Sequence, residues 1–252
     1  MPKLSIITVN LNNAVGLEKT IRSVISQTFT DYEYIIIDGG STDGSVEVIK
    51  KYADKITYWV SEPDKGIYNA MNKGIKVAKG EYCQFLNSGD YLVDKNVLEK
   101  VFSLGFDEDI VYGNILVDNI FKVVPYKKLT LYKLIKSYIP HPASFISRTV
   151  FFENNFYDEK YKIAADWKFF LKTLILENYS YAYVDLIIAD FQSGGISTSI
   201  KTKKEKEQIL FELFPRIYPD YNLFEKKIKE LEVYQKYRIN RTLVKVLRAF
   251  NL

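Results

Sequence analysis

The chain has 252 residues, 47% of them hydrophobic, with a formal charge of +4, one cysteine and one histidine. That apolar content supports a sizeable core and excludes global disorder. A lone cysteine excludes an internal disulfide, and a lone histidine excludes the multi-histidine sites of typical zinc hydrolases.

Residues 4–9 read as a strand. Residues 15–27 read as a helix, with Leu17, Ile21, Val24 and Ile25 at helical spacing. A continuous apolar strand over 34–37 ends at Asp38. Residues 44–52 form a helix with Ser41 or Asp43 as its N-cap. A strand over 56–60, a helix over 67–78 and a strand over 82–86 follow. This βαβαβαβ order implies an α/β fold with a mainly parallel, buried sheet and right-handed crossovers. Past Asp90 the strict alternation is lost. A helix is expected over 97–102, strands over 110–117 and 121–124, a helix over 165–176 and a β-rich run over 181–191. From Lys201 the chain is mostly helical, with a break over 214–222 where Pro215 and Pro219 fall. The simplest division is a main domain over 1–200 and a helical C-terminal extension over 201–252.

Charge follows that division. Residues 201–252 hold 13 Lys/Arg against 7 Asp/Glu, a net of +6, and residues 1–200 hold 22 against 24, a net of −2. A body-wide nucleic-acid surface is therefore not expected. The tail places Phe224, Ile228, Leu231, Leu243, Val246, Leu247 and Phe250 among lysines and arginines. Such a basic amphipathic helix can lie on an anionic membrane, pack on the catalytic domain or form a homodimer. No run approaches the roughly 20 apolar residues that span a bilayer. The start of the chain has no signal-peptide architecture, so the expectation is a cytoplasmic protein, peripheral on the membrane if the tail binds it.

In open parallel sheets, ligands bind at the carboxyl ends of strands. Three polar clusters fall there: Thr8 to Asn13, Asp38 to Gly44, and Asn87-Ser88-Gly89-Asp90. Asp38 can accept hydrogen bonds from a nucleobase edge, and the glycines after it let backbone approach a flat ring. Asp90, with Asn87, offers hard oxygen ligands for Mg²⁺ or Mn²⁺ held jointly with a diphosphate. Cys83 reads as a small buried hydrophobe. Trp59 and Trp167 read as core residues.

Further stretches make the chain resemble the family 2 glycosyltransferases of the GT-A fold, particularly those of bacterial surface-polysaccharide assembly. They are Ser5-Ile-Ile-Thr-Val-Asn, Ser23-Val-Ile-Ser-Gln-Thr, Asp38-Gly-Gly-Ser-Thr-Asp-Gly-Ser and Glu62-Pro-Asp-Lys-Gly-Ile-Tyr-Asn-Ala-Met-Asn-Lys-Gly, then Lys79-Gly-Glu-Tyr and Phe85-Leu-Asn-Ser-Gly-Asp. The resemblance implies a Rossmann-like GT-A sheet and a nucleotide-sugar donor, UDP by family frequency. It implies a glycan or lipid-linked acceptor, and a catalytic domain over 1–200 with a nucleotide-sugar-binding half over 1–90 and an acceptor-binding half over 91–200. It places Thr8 and Asn10 at the nucleotide, Asp38 near the base, and Asp64 and Lys65 near the nucleotide or its phosphates, with Ser88 on the same rim. The family's Asp-x-Asp metal motif stands here as Asn87-Ser88-Gly89, with Asp90 one place later. Ile163-Ala-Ala-Asp166-Trp-Lys-Phe-Phe resembles the segment that carries the family's catalytic base, so Asp166 is expected to deprotonate the acceptor hydroxyl in an inverting transfer. His141 in Pro-His-Pro resembles a histidine near the donor phosphates or acceptor. Gln192-Ser-Gly-Gly195 resembles a loop near the phosphates.

Other classes lack their signatures. There is no Gly-x-x-x-x-Gly-Lys-Ser/Thr, no Gly-x-Gly-x-x-Gly after the first strand and no Gly-x-Ser-x-Gly. Residues 10–16 are not the basic Gly-rich loop of a sugar-nucleotidyltransferase. The competing non-enzyme reading is an inactive sugar-nucleotide-binding or scaffolding homologue. The altered metal motif favours it and the retained Asp38, Asp90 and Asp166 oppose it.

Overall fold

The computed structural model describes residues 1–192 and 200–249, with side chains over 1–192 and 201–233. It divides into two compact units, Met1–Thr202 and Lys203–Leu252.

The first unit begins with β1 (Leu4–Asn10), α1 (Ala14–Ile25), β2 (Tyr32–Asp38), α2 (Ser45–Lys51), β3 (Tyr58–Ser61), α3 (Ile67–Val77) and β4 (Tyr82–Phe85). These four strands pair in parallel in the order β3-β2-β1-β4. Every residue of β1 is buried, and so is all of β2 after its first residue. Continuous apolar runs of this kind belong to strands covered on both faces. Leu17, Ile21 and Val24 of α1 share one core with Ile6, Tyr34 and Ile36. Their four- and three-residue spacing puts them on one helical stripe.

The second half holds β5 (Tyr91–Leu92), α4 (Val97–Phe102), β6 (Ile110–Val117), β7 (Phe121–Val123), α5 (Leu131–Lys136), β8 (Ser144–Ser147), α6 (Arg148–Glu153), α7 (Ala165–Leu171) and β9 (Tyr181–Phe191). Together they extend the sheet to β3-β2-β1-β4-β8-β6-β9-β5, with β7 paired to β6. The first half is parallel as expected. In the second half β8 runs antiparallel to both β4 and β6, and β5 antiparallel to β9, so the whole sheet is mixed. α7 passes into one π-helical stretch, Lys172–Leu176.

Two local expectations change. Gly44, with φ 94, is the residue that flanks α2, in place of Ser41 or Asp43. Asp43 instead ties two helix starts together: it accepts from Ser45 N at 3.1 Å and from Ala14 N at 2.8 Å. The second unit consists of α8 (Ile200–Leu213) and α9 (Tyr218–Ala249), so the break is shorter than the expected 214–222. Pro219 is the second residue of α9, where its missing N–H has no intrahelical partner to lose. In α9 Phe224, Ile228 and Leu231 are exposed. The side chains of Leu243, Val246, Leu247 and Phe250 lie outside the described residues, as does the loop over 193–199.

Candidate active site

The ends of β1, β2 and β3 meet at one carboxylate. Parallel register places Asn10 beside Asp38, and Asp38 beside Ser61. Asp38 Oδ1 accepts from Asn10 Nδ2 at 2.7 Å and from Ser41 Oγ at 2.6 Å. Its Oδ2 accepts from Ser41 N at 2.9 Å and Ser61 Oγ at 2.6 Å. Burial pushes this carboxyl up, but the bonds from Ser41, Ser61 and Asn10 outweigh it and hold it below the ordinary value. Asp38 is fully buried and shapes the Ser41 turn. Asn10 Oδ1 is buried without a hydrogen-bond partner among the described residues and keeps an unused acceptor.

Thr8 does not reach the site. It is fully buried, and its hydroxyl lies 3.0 Å from Tyr34 Oη inside the core. Side chains two apart on a strand share a face, so Thr8 lies on the Asn10 side of the sheet but one step back from the strand end, under Tyr34. At the end of β1 it is Leu11 that is exposed, at 60%. The glycines after Asp38 are approached by the chain itself. A Cβ on Gly39 would lie 2.7 Å from Asp64 Oδ2 and 3.2 Å from Leu11 Cδ1, and one on Gly40 would lie 3.3 Å from Pro63 N. Asp64 thus packs against the Asp38 loop, and its Oδ1 accepts from Gly66 N at 2.9 Å.

Lys65 follows at the surface, in a cleft lined by Lys65, Gly66, Tyr68, Glu159, Tyr161 and Lys162. Lys162 Nζ reaches the Lys65 carbonyl at 3.4 Å. Tyr68, in the first turn of α3, donates to Asp166 Oδ1 at 2.7 Å. Asp166 is half-buried in the first turn of α7, where Ala164 is the flanking residue and makes no side-chain cap. Its Oδ2 takes no hydrogen bond among the described residues. Below Asp166 lies an aromatic cluster: Tyr157 packs 5.5 Å from Tyr68, and its hydroxyl lies 2.8 Å from His141 Nε2. The His141 ring stacks on Phe85 at 4.8 Å. Burial lowers the His141 pKa against the opposing pull of Asp166, so at neutral pH the ring is an uncharged partner of Tyr157.

The Asn87–Asp90 loop closes the rim next to α1. Asn13 caps α1 through Gly16 N at 3.1 Å and donates to the Ser88 carbonyl at 2.9 Å. Asp90 turns inward. It is 4% exposed, its Oδ1 accepts from Gln192 N at 3.1 Å, and Asp190 stands close by. Burial first, then Asp190, raise its carboxyl to about 7. Asn87 Oδ1 is buried and unpartnered. Gly89 contributes no ligand oxygen from a side chain, and no group of three His, Cys, Asp or Glu that could hold a metal occurs among the described residues. Cys83 and Trp167 are core residues as expected, with the Trp167 indole N–H on the Leu134 carbonyl at 2.8 Å.

Tyr68 carries a signal in the sequence, its place inside the Glu62–Gly74 motif, but nothing there links it to Asp166. Tyr157, Asp190 and Lys162 carry none, because their contacts with His141, Asp90 and Lys65 join residues remote in the chain.

A parallel half-sheet with a polar rim, faced by a carboxylate from the other half, is the frame of an α/β group-transfer enzyme. Comparison with known proteins makes that specific. The family model described as glycosyl transferase family 2 matches residues 5–163. An uncharacterized glycosyltransferase of Mycobacterium tuberculosis is 31% identical over 210 residues, covering 78% of each chain. The poly(ribitol-phosphate) beta-N-acetylglucosaminyltransferase TarP of Staphylococcus aureus is 30% identical over 251 residues, covering 90% of this chain and 76% of TarP. Among solved structures, S. aureus TarS 1-349 in complex with UDP-GlcNAc aligns with a TM-score of 0.69 at 20% identity; the match covers 82% of this chain and 64% of that one. The mannosyltransferase PcManGT of Pyrobaculum calidifontis, in complex with GDP-Man and Mn²⁺, aligns with a TM-score of 0.58 at 16% identity, covering 75% and 56%. The chain belongs to glycosyl transferase family 2 and is a glycosyltransferase. Among the described residues no helix is long and apolar enough to cross a membrane.

Proposed function

We propose that this chain transfers a sugar, with inversion, from a UDP-sugar to a hydroxyl of a glycan or lipid-linked glycan in surface-polysaccharide synthesis. The observation that carries the reading is Asp166: a half-buried carboxylate with one oxygen held by Tyr68 and the other open. In the step, Asp166 takes the proton of the acceptor hydroxyl as that oxygen bonds to the anomeric carbon. The bond from that carbon to the diphosphate breaks, and its electron pair leaves with UDP. Lys65, at the cleft, is placed to meet the diphosphate charge. Asn10, Asp64 and the Asp38 loop form the nucleotide rim, with Ser88 on its α1 side. The donors seen with TarS and with the mannosyltransferase support a nucleotide sugar.

The Mn²⁺ of the mannosyltransferase supports a divalent cation at the diphosphate. Such an ion would neutralise charge on the leaving group. Asp90 as placed does not fit as its ligand, because the side chain is buried and engaged with Gln192. Asn87 offers one neutral oxygen.

The test is Asp166→Asn. It should retain the rise in Tm given by UDP and lose transfer by about 100-fold or more, the usual weight of a general base. Full transfer by this variant removes Asp166 as the base.

A further inference from the structure

The stretch between β6 and His141 differs from the rest of its unit. Residues 119–138 contain five lysines and no acidic residue, although residues 1–200 hold 22 Lys/Arg against 24 Asp/Glu. The same stretch exposes Ile120 at 70%, Phe121 at 66%, Val124 at 51%, Tyr126 at 43%, Tyr132 at 55% and Tyr138 at 46%. Single exposed apolar residues are ordinary, but six large ones within twenty residues of chain set this stretch apart as an interaction surface.

These residues are held together. Asp118 and Asn119, with φ of 52 and 56, turn β6 into β7 and put Ile120 and Phe121 beside the tip. The Tyr126 carbonyl accepts from Tyr112 Oη at 2.7 Å, and Leu129 N donates to Tyr181 Oη at 3.0 Å. Lys133 Nζ lies 5.1 Å from the Tyr126 ring centroid, and Lys136 Nζ 5.8 Å from that of Tyr132. Asp185, 3.9 Å from Lys122 and 3.7 Å from Lys127, faces this surface from β9.

We propose that this surface docks the catalytic unit on an anionic membrane. Ile120, Phe121, Val124 and the tyrosine rings enter the boundary between headgroups and acyl chains, and the lysines meet anionic headgroups. A soluble polyanion would explain the lysines alone. Ile120, Phe121 and Val124 have no polar function and gain only by leaving water. Tyrosine and lysine suit such a boundary, each with an apolar body and a polar tip. The surface also reaches the active site: α5 offers the Leu134 carbonyl to Trp167, the neighbour of Asp166. Delivery of a lipid-linked acceptor to Asp166 rests on the proposed transfer, whereas membrane binding does not. The tail, for which membrane contact is one of the expected roles, is not required.

The experiment is co-sedimentation of the full chain with phosphatidylcholine vesicles, with and without phosphatidylglycerol. Three variants are compared: Phe121→Ser with Tyr132→Ser, Lys127→Glu with Lys128→Glu, and Lys226→Glu with Lys227→Glu and Lys229→Glu in the tail. All are exposed positions, and circular dichroism and Tm confirm folding. Wild type should bind the anionic vesicles. Both variants of this surface should bind at least about tenfold more weakly, since each lysine near an anionic membrane contributes roughly fivefold in partition. The tail variant should keep most of the binding. Failure of wild type to bind, or loss confined to the tail variant, overturns the proposal. Binding to soluble polyphosphate but not to vesicles also overturns it and assigns the surface to a polyanionic acceptor. Transfer activity enters none of these readings.

Discussion

The hydroxyl of Tyr68 lies 2.7 Å from Oδ1 of Asp166 and 2.8 Å from the Ile163 carbonyl, joining the first turn of α3 to the start of α7. Burial, with the charge of Asp166, pushes the Tyr68 phenol well above its ordinary value, so it keeps its proton and stays a donor. One oxygen of the carboxylate is thus fixed in direction.

Tyr68→Phe should therefore lower kcat about tenfold or more, because a hydrogen bond to a charged group contributes about 1.5–3 kcal/mol. The KM for the donor should change less. Steady-state kinetics of UDP release check this. Since Tyr68 acts through Asp166, the double variant with Asp166→Asn should be no slower than Asp166→Asn alone. A multiplicative loss would place Tyr68 in another role.

The contrast between what the sequence showed and what it hid follows from range. β1 to β4 were legible because each is a local apolar run separated by an amphipathic helix. β8 was missed: Ser144–Ser147 is four residues long and takes its identity from antiparallel partners β4 and β6. The antiparallel direction is likewise set by partners remote in the chain. Thr8 is buried because it stands two residues before the end of β1 and meets Tyr34 of another strand, a contact that the local sequence does not carry. Asp166 stands out in the sequence through its motif, but its geometry depends on Tyr68, 98 residues away.

Asp90 makes stability depend on pH. Its carboxyl ionises near 3.8 when unperturbed and at about 7 in the fold, chiefly through burial. Its protonated form is the one the fold accepts. The contribution is complete below 3.8 and is lost as pH rises through about 7. Asp90→Asn removes that slope, so the variant should gain Tm relative to wild type on going from acid to mildly alkaline buffer. Any Mn²⁺-dependent gain in Tm with UDP should survive in this variant. Its loss would restore Asp90 as a metal ligand.

His141 should give a slope of the opposite sign. Burial lowers its pKa below the ordinary 6.5, against Asp166. The unfolded chain then takes up the proton first. The stability carried by the neutral ring is present above 6.5 and is lost as pH falls below it toward the depressed value. His141→Gln keeps a polar partner near Tyr157 Oη and cannot be charged. Thermal unfolding across the mildly acid range should show wild type losing more Tm than the variant. Parallel curves would mean that the ring charges in place.

Asp38 decides how the nucleotide rim is organised. A carboxylate that reads a base must offer a free lone pair, yet Asp38 already accepts from Asn10 Nδ2, Ser41 N, Ser41 Oγ and Ser61 Oγ. Asp38→Asn keeps one oxygen and turns the other into a donor, so the contacts on that side lose their acceptor. Each buried donor left without a partner costs about 1–3 kcal/mol. In a unit of this size, 1 kcal/mol moves Tm by about 2–4 °C. The ligand-free variant should therefore melt several degrees below wild type, and its UDP affinity should fall with the loosened Ser41 turn. Differential scanning fluorimetry with and without UDP separates the cases. An unchanged ligand-free Tm with lost UDP binding would mean that Asp38 contacts the base itself, with the serines turning away when the nucleotide arrives.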